Sequence, residues 1–142
     1  MRIRDILRAK GATVVTVSPD ATVRELLAAL AEHNVGALVV SEDGERVAGI
    51  VSERDVVRRL HEHGGALLDS TVSSIMTVEV RTCAPDEKID DLRRIMTDHR
   101  IRHLPVVVDE RLVGIVSIGD IVKSAISELE TEREHLVDYI QS

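Results

Sequence analysis

Aromatic residues are nearly absent from this chain: its 142 residues include no Trp, no Phe and a single tyrosine, Tyr139. Acidic residues outnumber basic ones, with 25 Asp and Glu against 18 Lys and Arg, which gives a net charge of −7. Proteins that bind nucleic acids neutralise phosphates with cations and stack single-stranded bases on aromatic rings. The composition therefore argues against a nucleic acid partner.

Cysteine and long apolar runs are equally scarce. The single cysteine, Cys83, has no second cysteine with which to form an internal disulfide. No apolar stretch follows the basic residues near the N-terminus as it would in a signal peptide, and no run approaches the roughly 20 apolar residues of a membrane span. We therefore expect a cytoplasmic protein without a membrane partner.

What the chain does contain is an internal repeat. The matched residues are Pro19-Asp20 with Pro85-Asp86, Leu26 with Leu92, Leu30 with Met96, His33 with His99, Leu38 with Leu104 and Val40 with Val106. The register then shifts by one residue, because "DGERVAG" (43–49) is longer than "DERLVG" (109–114). Before the prolines, Ile3, Ile6 and Leu7 align with Val72, Ile75 and Met76. Two copies thus span the chain to about residue 126, and units this small must share one core.

Each copy is predicted to fold as strand, helix, strand, strand, helix. In the first copy "TVVTV" (13–17) is rich in β-branched residues, an apolar helical face follows it, and two strands flank an Asp-Gly turn at 43–44. Thr22 and Glu25 have the spacing of a capping box, whereas Lys88 replaces Thr22 in the second copy, where Asp86 is the predicted cap. The last helix of the first copy ends near Gly64-Gly65.

These elements divide the chain into four parts: residues 1–60 are the first repeat with an N-terminal helix, 61–71 a linker, 72–126 the second repeat and 127–142 a helical tail. An apolar stripe at helical spacing runs from Ile121 to Ile140, interrupted by the charged "ETERE" at 130–134. The stripe either covers its own repeat or binds a partner. We expect a partner or an oligomer, because the first copy has no corresponding element.

The two copies also share the motif GIVSxxD, as "GIVSERD" (49–55) and "GIVSIGD" (114–120). Ser52 and Ser117 stand where a strand passes into a helix, so free backbone N–H groups and the helix dipole favour an anion such as phosphate. Asp55 and Asp120 lie three residues later, where a carboxylate can accept two hydrogen bonds from a ribose diol. Ser-x-x-Asp is also the pattern of a simple helix cap, and the two roles are compatible.

The order of elements, the repeated GIVSxxD and the "HxxxxLPVV" stretch at 99–107 resemble a tandem pair of CBS domains, named after cystathionine beta-synthase. The resemblance covers residues 1 to about 126. It implies an α+β fold in which two β-α-β-β-α repeats pack about a pseudo-twofold axis, with a C-terminal helical extension. It also implies a flat homodimer and two clefts that bind adenosine nucleotides or related ligands.

The scarcity of aromatic rings leaves an adenine base to lie between aliphatic side chains. The resemblance implies that Val14 and Val80, each five residues before a proline, line the base pocket. It also implies that the backbone near Ala37 and Leu104 reads the adenine edge. The alternative for both valines is an ordinary position in the core.

Basic residues near the motifs are candidates for phosphate binding. Arg102 and His103 precede the "LPVV" strand, where many relatives place phosphate-binding residues, and guanidinium forks suit phosphate. An exposed Arg-His pair before an edge strand is the alternative. Arg54 lies within the first motif but is replaced by Gly119 in the second. The basic residues therefore serve either one cleft from both sides or one cleft each.

Other chemistry has little support in the sequence. His61 and His63 lie in a Gly-containing segment without a cysteine or acidic partner at ligand spacing, so we expect no metal site. Cys83 has only Arg81 as a basic neighbour and is expected to be a partly buried, inert thiol, the alternative being a nucleophile. The chain has no Gly-x-x-x-x-Gly-Lys loop and no clear Ser-His-Asp arrangement, so we do not expect an enzyme.

The sequence favours a cytoplasmic, homodimeric regulatory module that binds an adenosine nucleotide without turning it over and without a catalytic cofactor. AMP is preferred over ADP, ATP or NAD as the predicted ligand. The predicted ligand-binding residues are Val14, Ala37, Ser52, Arg54, Asp55, Val80, Arg102, His103, Leu104, Pro105, Ser117 and Asp120. One alternative is a constitutive dimeric scaffold whose clefts are empty or filled by side chains, and another is a nucleotide-dependent enzyme.

Overall fold

Helices and short strands alternate along the chain, which a computed structural model describes for residues 1–11 and 14–141. The first half contains α1 (Ile3–Lys10), β1 (Thr16–Val17), α2 (Val23–His33), β2 (Ala37–Val40), β3 (Gly49–Ser52) and α3 (Glu53–His63). Two 3₁₀ helices (Gly64–Asp69 and Val72–Ser74) lead to α4 (Ile89–His99), β4 (His103–Val108), β5 (Arg111–Ser117) and α5 (Ile118–Gln141). Thr13, the first residue of the predicted "TVVTV" strand, lies outside the described residues.

Each repeat contributes a small sheet, which confirms the predicted α+β fold class. In the first repeat β2 is central and pairs in parallel with β1 and antiparallel with β3. In the second repeat β4 and β5 form an antiparallel pair, and the strand that matches β1 is reduced to one parallel bridge between Cys83 and Val106. Pro105 explains the loss, because it has no N–H to donate to Arg81, the next acceptor in a parallel ladder.

Helix starts follow the predicted cap in the first repeat but not in the second. Thr22 caps α2, since its hydroxyl accepts a hydrogen bond from the Glu25 N–H (3.1 Å). Asp86 does not cap α4, whose N-cap residue makes no side-chain cap hydrogen bond. Instead, the Ile89 N–H donates to the carbonyl of Met1 (3.3 Å). The predicted Asp86 cap is wrong because the beginning of the chain already satisfies this amide.

The segments that precede the two repeats are exchanged between them. α1, which comes before the first repeat, packs in the core of the second repeat through Ile3 and Ile6. The matched residues before the second repeat, Val72 and Ile75, pack in the core of the first. Each half of the chain therefore completes the core of the other half. The expectation of one shared core is wrong, because the buried residues form two clusters, which the exchanged segments connect.

The C-terminal extension is helical as predicted, whereas the predicted linker is more helical than the sequence suggests. Residues 61–63 belong to α3, and Gly64–Asp69 form a 3₁₀ helix that buries Leu67 in the first core. The tail belongs to α5, which continues through "ETERE" to Gln141. The charged segment interrupts the apolar stripe but not the helix, since Glu and Arg are good helix formers.

Candidate functional site

Both GIVSxxD motifs form capping boxes at helix starts. In α3, the Ser52 N–H donates to Asp55 Oδ2 (2.8 Å) and the Asp55 N–H donates to Ser52 Oγ (3.4 Å). In α5, the Ser117 N–H donates to Asp120 Oδ2 (2.9 Å) and the Asp120 N–H donates to Ser117 Oγ (3.1 Å). The capping role is therefore real in both repeats. It is compatible with ligand binding, because these bonds do not use the second oxygen of either carboxylate.

A cleft of about 380 Å³ opens beside the first capping box, between the two repeats. We call it the first cleft. Its walls are residues 36–37 and 52–55 of the first repeat, the segment 77–81, and residues 100–103 at the start of β4. Ligand pockets commonly enclose about 300–1,000 Å³, so a mononucleotide fits this space by volume.

Most of the predicted residues lie in the first cleft, whose lining includes Ala37, Ser52, Arg54, Asp55, Val80, Arg102 and His103. Arg54 comes from the first repeat, and Arg102 and His103 come from the second. The basic residues therefore face one cleft from both sides, although their roles in binding stay predictions.

The other predicted residues lie outside the lining of the first cleft: Val14, Leu104, Pro105, Ser117 and Asp120. Leu104 and Pro105 have buried side chains in β4, and the Pro105 carbonyl already accepts a hydrogen bond from the Cys83 N–H (2.9 Å). In the repeat alignment Val14, Ser117 and Asp120 are the counterparts of cleft residues. We call these three residues the second half-site.

Sequence reasoning missed four charged residues that line the first cleft: Glu53, Glu79, Arg81 and Arg100. With Arg54 and Arg102, the cleft holds four arginines in a chain whose net charge is −7. The available signal for Arg100 was the basic run "RIRH" at 100–103, of which only the last two residues were considered. The lining also holds three carboxylates, Glu53, Asp55 and Glu79, so four arginines against three carboxylates give it a formal charge of +1, against −7 for the whole chain. A lining with both signs of charge suits a ligand that has an anionic group beside neutral hydroxyls.

Asp120 in the second half-site is already engaged by a lysine. The Lys10 ammonium group contacts Asp120 Oδ2 (2.8 Å) and donates to the carbonyl of Ile115 (2.9 Å). Burial acts to raise the pKa of Asp120, but hydrogen bonds from Lys10 and from Ser117 outweigh it, so the net shift is downward. In the repeat alignment the counterpart of Lys10 is Glu79, so matched positions carry opposite charges.

His103 lies between the first cleft and the second half-site. Burial lowers the pKa of His103, and the positive charges of Lys10 and Arg102 lower it further. Asp120 and Glu53 oppose this shift but do not reverse it. The imidazole is therefore neutral at pH 7 and offers a ligand a neutral hydrogen-bond donor or acceptor.

The remaining candidates for reactive chemistry are the Cys83 thiol and clusters of metal-ligating side chains. Cys83 is buried, and burial together with the Glu87 carboxylate raises its pKa to about 12, so the thiol stays protonated. Across residues 1–11 and 14–141, no group of three or more His, Cys, Asp and Glu side chains is placed to hold a metal ion. No helix in this described part of the chain is long and apolar enough to cross a membrane.

Known proteins resemble the chain over both repeats. The family model of the CBS domain matches residues 3–62 and 72–127. The mitochondrial CBS domain-containing protein CBSX3 of Arabidopsis thaliana is 38% identical over 147 residues, which cover 98% of this chain and 71% of that protein.

Solved structures of CBS-domain proteins are also similar to this chain. The crystal structure of the CBS-domain containing protein ATU1752 from Agrobacterium tumefaciens has a TM-score of 0.84 at 44% identity, covering 88% of this chain and 99% of that one. The CBS domain pair of protein MJ0100, in complex with 5-methylthioadenosine and S-adenosyl-L-methionine, has a TM-score of 0.76 at 25% identity, covering 90% and 98%.

Proposed function

Because the chain belongs to the CBS domain family, we propose that it is a regulatory module that binds an adenosine nucleotide in the first cleft without converting it. The observation that carries this proposal is the meeting of Asp55 with four arginines in one cleft between the repeats. A carboxylate suits the ribose hydroxyls, and guanidinium groups suit the phosphate. Together they match the two polar parts of a nucleotide.

Aliphatic side chains supply a surface for the adenine base. Ile50, Val80 and Ile101 line the first cleft and are partly exposed. Burying the base against them gains hydrophobic free energy without aromatic stacking. The adenosine-derived ligands bound by the MJ0100 domain pair support this ligand class. We propose AMP within the class, because a mononucleotide fits the volume of the cleft and its phosphate dianion can pair with the arginines.

A ligand in the first cleft would join the two repeats. Arg54 and Asp55 belong to α3 of the first repeat, whereas Arg102 precedes β4 of the second. A ligand that contacts both repeats stabilises the relative position of the repeats in which both sets of contacts form. We therefore propose that occupancy changes the relation between the repeats and what the protein presents to a partner. The cytoplasm stays our predicted compartment, although the Arabidopsis relative is mitochondrial by name.

One observation favours the scaffold alternative for the second half-site, in which a side chain of the protein fills the position of a ligand. Lys10 lies 2.8 Å from Asp120 Oδ2, so an ammonium group of the protein itself neutralises the carboxylate that a ribose hydroxyl would approach. Asp55 lies instead in the lining of an open cleft. We therefore propose that each chain binds one nucleotide, in the first cleft, and that Lys10 closes the second half-site.

Titration calorimetry with AMP, ADP, ATP, NAD and adenosine tests the proposal. We expect one AMP per chain, bound about ten-fold or more tightly than adenosine, because a charge-assisted hydrogen bond contributes about 1.5–3 kcal/mol. Arg54→Ala should remove much of this preference. Arg59→Ala is the matched control, since Arg59 is on the same helix, pairs with Glu62 (3.3 Å) and is outside the cleft lining.

Each alternative has its own outcome. Equal affinity for AMP and adenosine would mean that the arginines do not contact the phosphate. If no compound produces heat or shifts the melting temperature, the scaffold is the better description, and consumption of the nucleotide would indicate an enzyme. Asp55→Ala separates the two roles of the motif: a cap alone costs about 1 kcal/mol of stability and leaves the affinity unchanged.

A further inference from the structure

α5 extends beyond the body of the protein. Its first turns pack against the second repeat through Ile121 and Ser124, and Glu128 lies 3.5 Å from the N-terminal ammonium group. Every residue from Ile126 to Gln141 is exposed. A helical segment of this length is only marginally stable in water on its own, so packing against a partner would stabilise it.

A continuous stripe runs along one face of this helix and consists of Val122, Ile126, Leu129, Arg133, Leu136 and Ile140. We call it the α5 stripe. Its members follow one another at alternating intervals of four and three residues, which is the spacing of a coiled coil. The apolar members are 51%, 52%, 65%, 63% and 80% exposed in chain order. At 1.5 Å per residue the stripe is about 27 Å long.

We infer that the α5 stripe pairs in antiparallel orientation with the α5 stripe of a second copy of this chain. If the twofold axis crosses the two helices at the level of Thr131, each stripe residue meets a stripe residue of the second copy. The layers are then Val122 with Ile140, Ile126 with Leu136 and Leu129 with Arg133. The surface is thus complementary to itself, as a twofold interface requires. This inference does not rest on nucleotide binding.

Arg133 determines the direction of the pair. In a parallel pair the two Arg133 guanidinium groups would face each other, and their like charges would repel. In the antiparallel pair each Arg133 lies beside Leu129 and Glu130 of the second copy, so a carboxylate is within reach. The helix supplies acidic neighbours throughout this region, namely Glu128, Glu130, Glu132, Glu134 and Asp138.

Other occupants fit the α5 stripe less well. Within the described residues, α3 exposes two large apolar side chains, Val57 and Leu60, which span a single turn and cannot cover the whole stripe. The acidic flanks of the stripe would be repelled by the negative surface of an anionic membrane. A second copy, by contrast, always offers a stripe of the same length and spacing.

Mass measured by analytical ultracentrifugation over a range of concentrations tests the pairing. We expect twice the chain mass for the wild type. For Leu136→Glu we expect a dimer dissociation constant raised about tenfold or more, because the change buries a carboxylate against Ile126 of the second copy. Thr131→Glu is the matched control, since it adds the same charge on the opposite face of α5. Both positions are exposed, so neither change should alter the melting of the body. Equal masses for the two variants would overturn the inference.

Disulfide trapping tests the direction. Bridged cysteines need Cα atoms within about 7 Å. An oxidised mixture of the Ile126→Cys and Leu136→Cys proteins should give a linked mixed dimer. Neither protein alone should link, because equal positions lie roughly 15 Å apart in the antiparallel pair. The wild type, whose single cysteine is buried, gives the background. Self-linked Ile126→Cys protein would establish a parallel pair, and no linked product at all would assign the stripe to a different partner; either result overturns the inference.

Discussion

His103 is the residue on which the charges of both repeats converge. Lys10 in α1, Glu53 in α3, Asp120 in α5 and the adjacent Arg102 all act on it, in addition to burial. The net result is a pKa below the ordinary histidine value of 6.5. The unfolded chain then binds the proton more readily than the folded one. The stabilising contribution of neutral His103 is therefore complete above about pH 6.5 and is lost as the pH falls through the lowered pKa.

We expect the free energy of unfolding to decrease as the pH falls below about 6.5, and His103→Gln to make this decrease smaller. Denaturant titrations at closely spaced pH values measure both curves. His61→Gln is the control for replacing a histidine, because His61 is exposed on α3. If the His103→Gln slope equals that of the wild type, His103 does not contribute to the pH dependence.

Individual site residues could be predicted from the sequence where the contacts are local. Ser52 and Asp55 share one helical turn, so their spacing alone predicts their hydrogen bonds. The contact between Lys10 and Asp120 joins residues that are 110 positions apart, and no local pattern indicates it. Aligning Lys10 with Glu79 shows a difference between the copies, but only the fold brings the lysine to a carboxylate.

At the scale of elements, the glycines of GIVSxxD are explained by the exchanged segments. A Cβ on Gly49 would lie 2.8 Å from both the Sδ of Met76 and the carbonyl oxygen of Thr77. A Cβ on Gly114 would collide with the Leu7 side chain of α1. The motif therefore keeps its glycine because a segment from the other half of the chain passes directly over the strand.

Gly49→Ala should destabilise the fold by about 1–3 kcal/mol, the usual cost of overpacking, because the Thr77 carbonyl is backbone and cannot rotate away. Gly114→Ala should cost less, since the Leu7 side chain can change its rotamer. Gly65→Ala is the control, because no heavy atom lies within 4 Å of the added Cβ. Urea unfolding measures all three. Similar values for Gly49→Ala and Gly65→Ala would mean that the Thr77 segment moves aside freely.

Helices could be predicted from the periodicity of their apolar residues. Elements that depend on residues distant in the sequence could not be predicted. The apolar faces of α2 and α4 follow a helical period, and both helices form. The first strand of the second repeat is lost because of Pro105, which belongs to a different strand. The helix cap predicted at Asp86 is replaced by the carbonyl of Met1, the first residue of the sequence.

At the scale of the whole molecule, the exchange makes the two repeats one folding unit. Ile3 is fully buried in the second core, although it precedes the first repeat in the chain. Val72 is fully buried in the first core, although it precedes the second. Neither core is complete without residues from the other half, so neither repeat should unfold alone.

Ile3→Ala should cost about 2–5 kcal/mol, because it leaves a cavity in the second core, and it should lower the midpoint of a single unfolding transition. Val57→Ala is the control, since Val57 is exposed on α3. Native-state hydrogen exchange gives the sharper test, as the slowest amides of β2 in the first repeat should accelerate as much as those of β4 in the second. Acceleration confined to β4, or a calorimetric melt that splits into two transitions, would show that the repeats unfold separately. Equal acceleration in both sheets would show that a substitution in one core weakens both, which is how the exchange of α1 and the 72–77 segment would couple the two halves of the cleft.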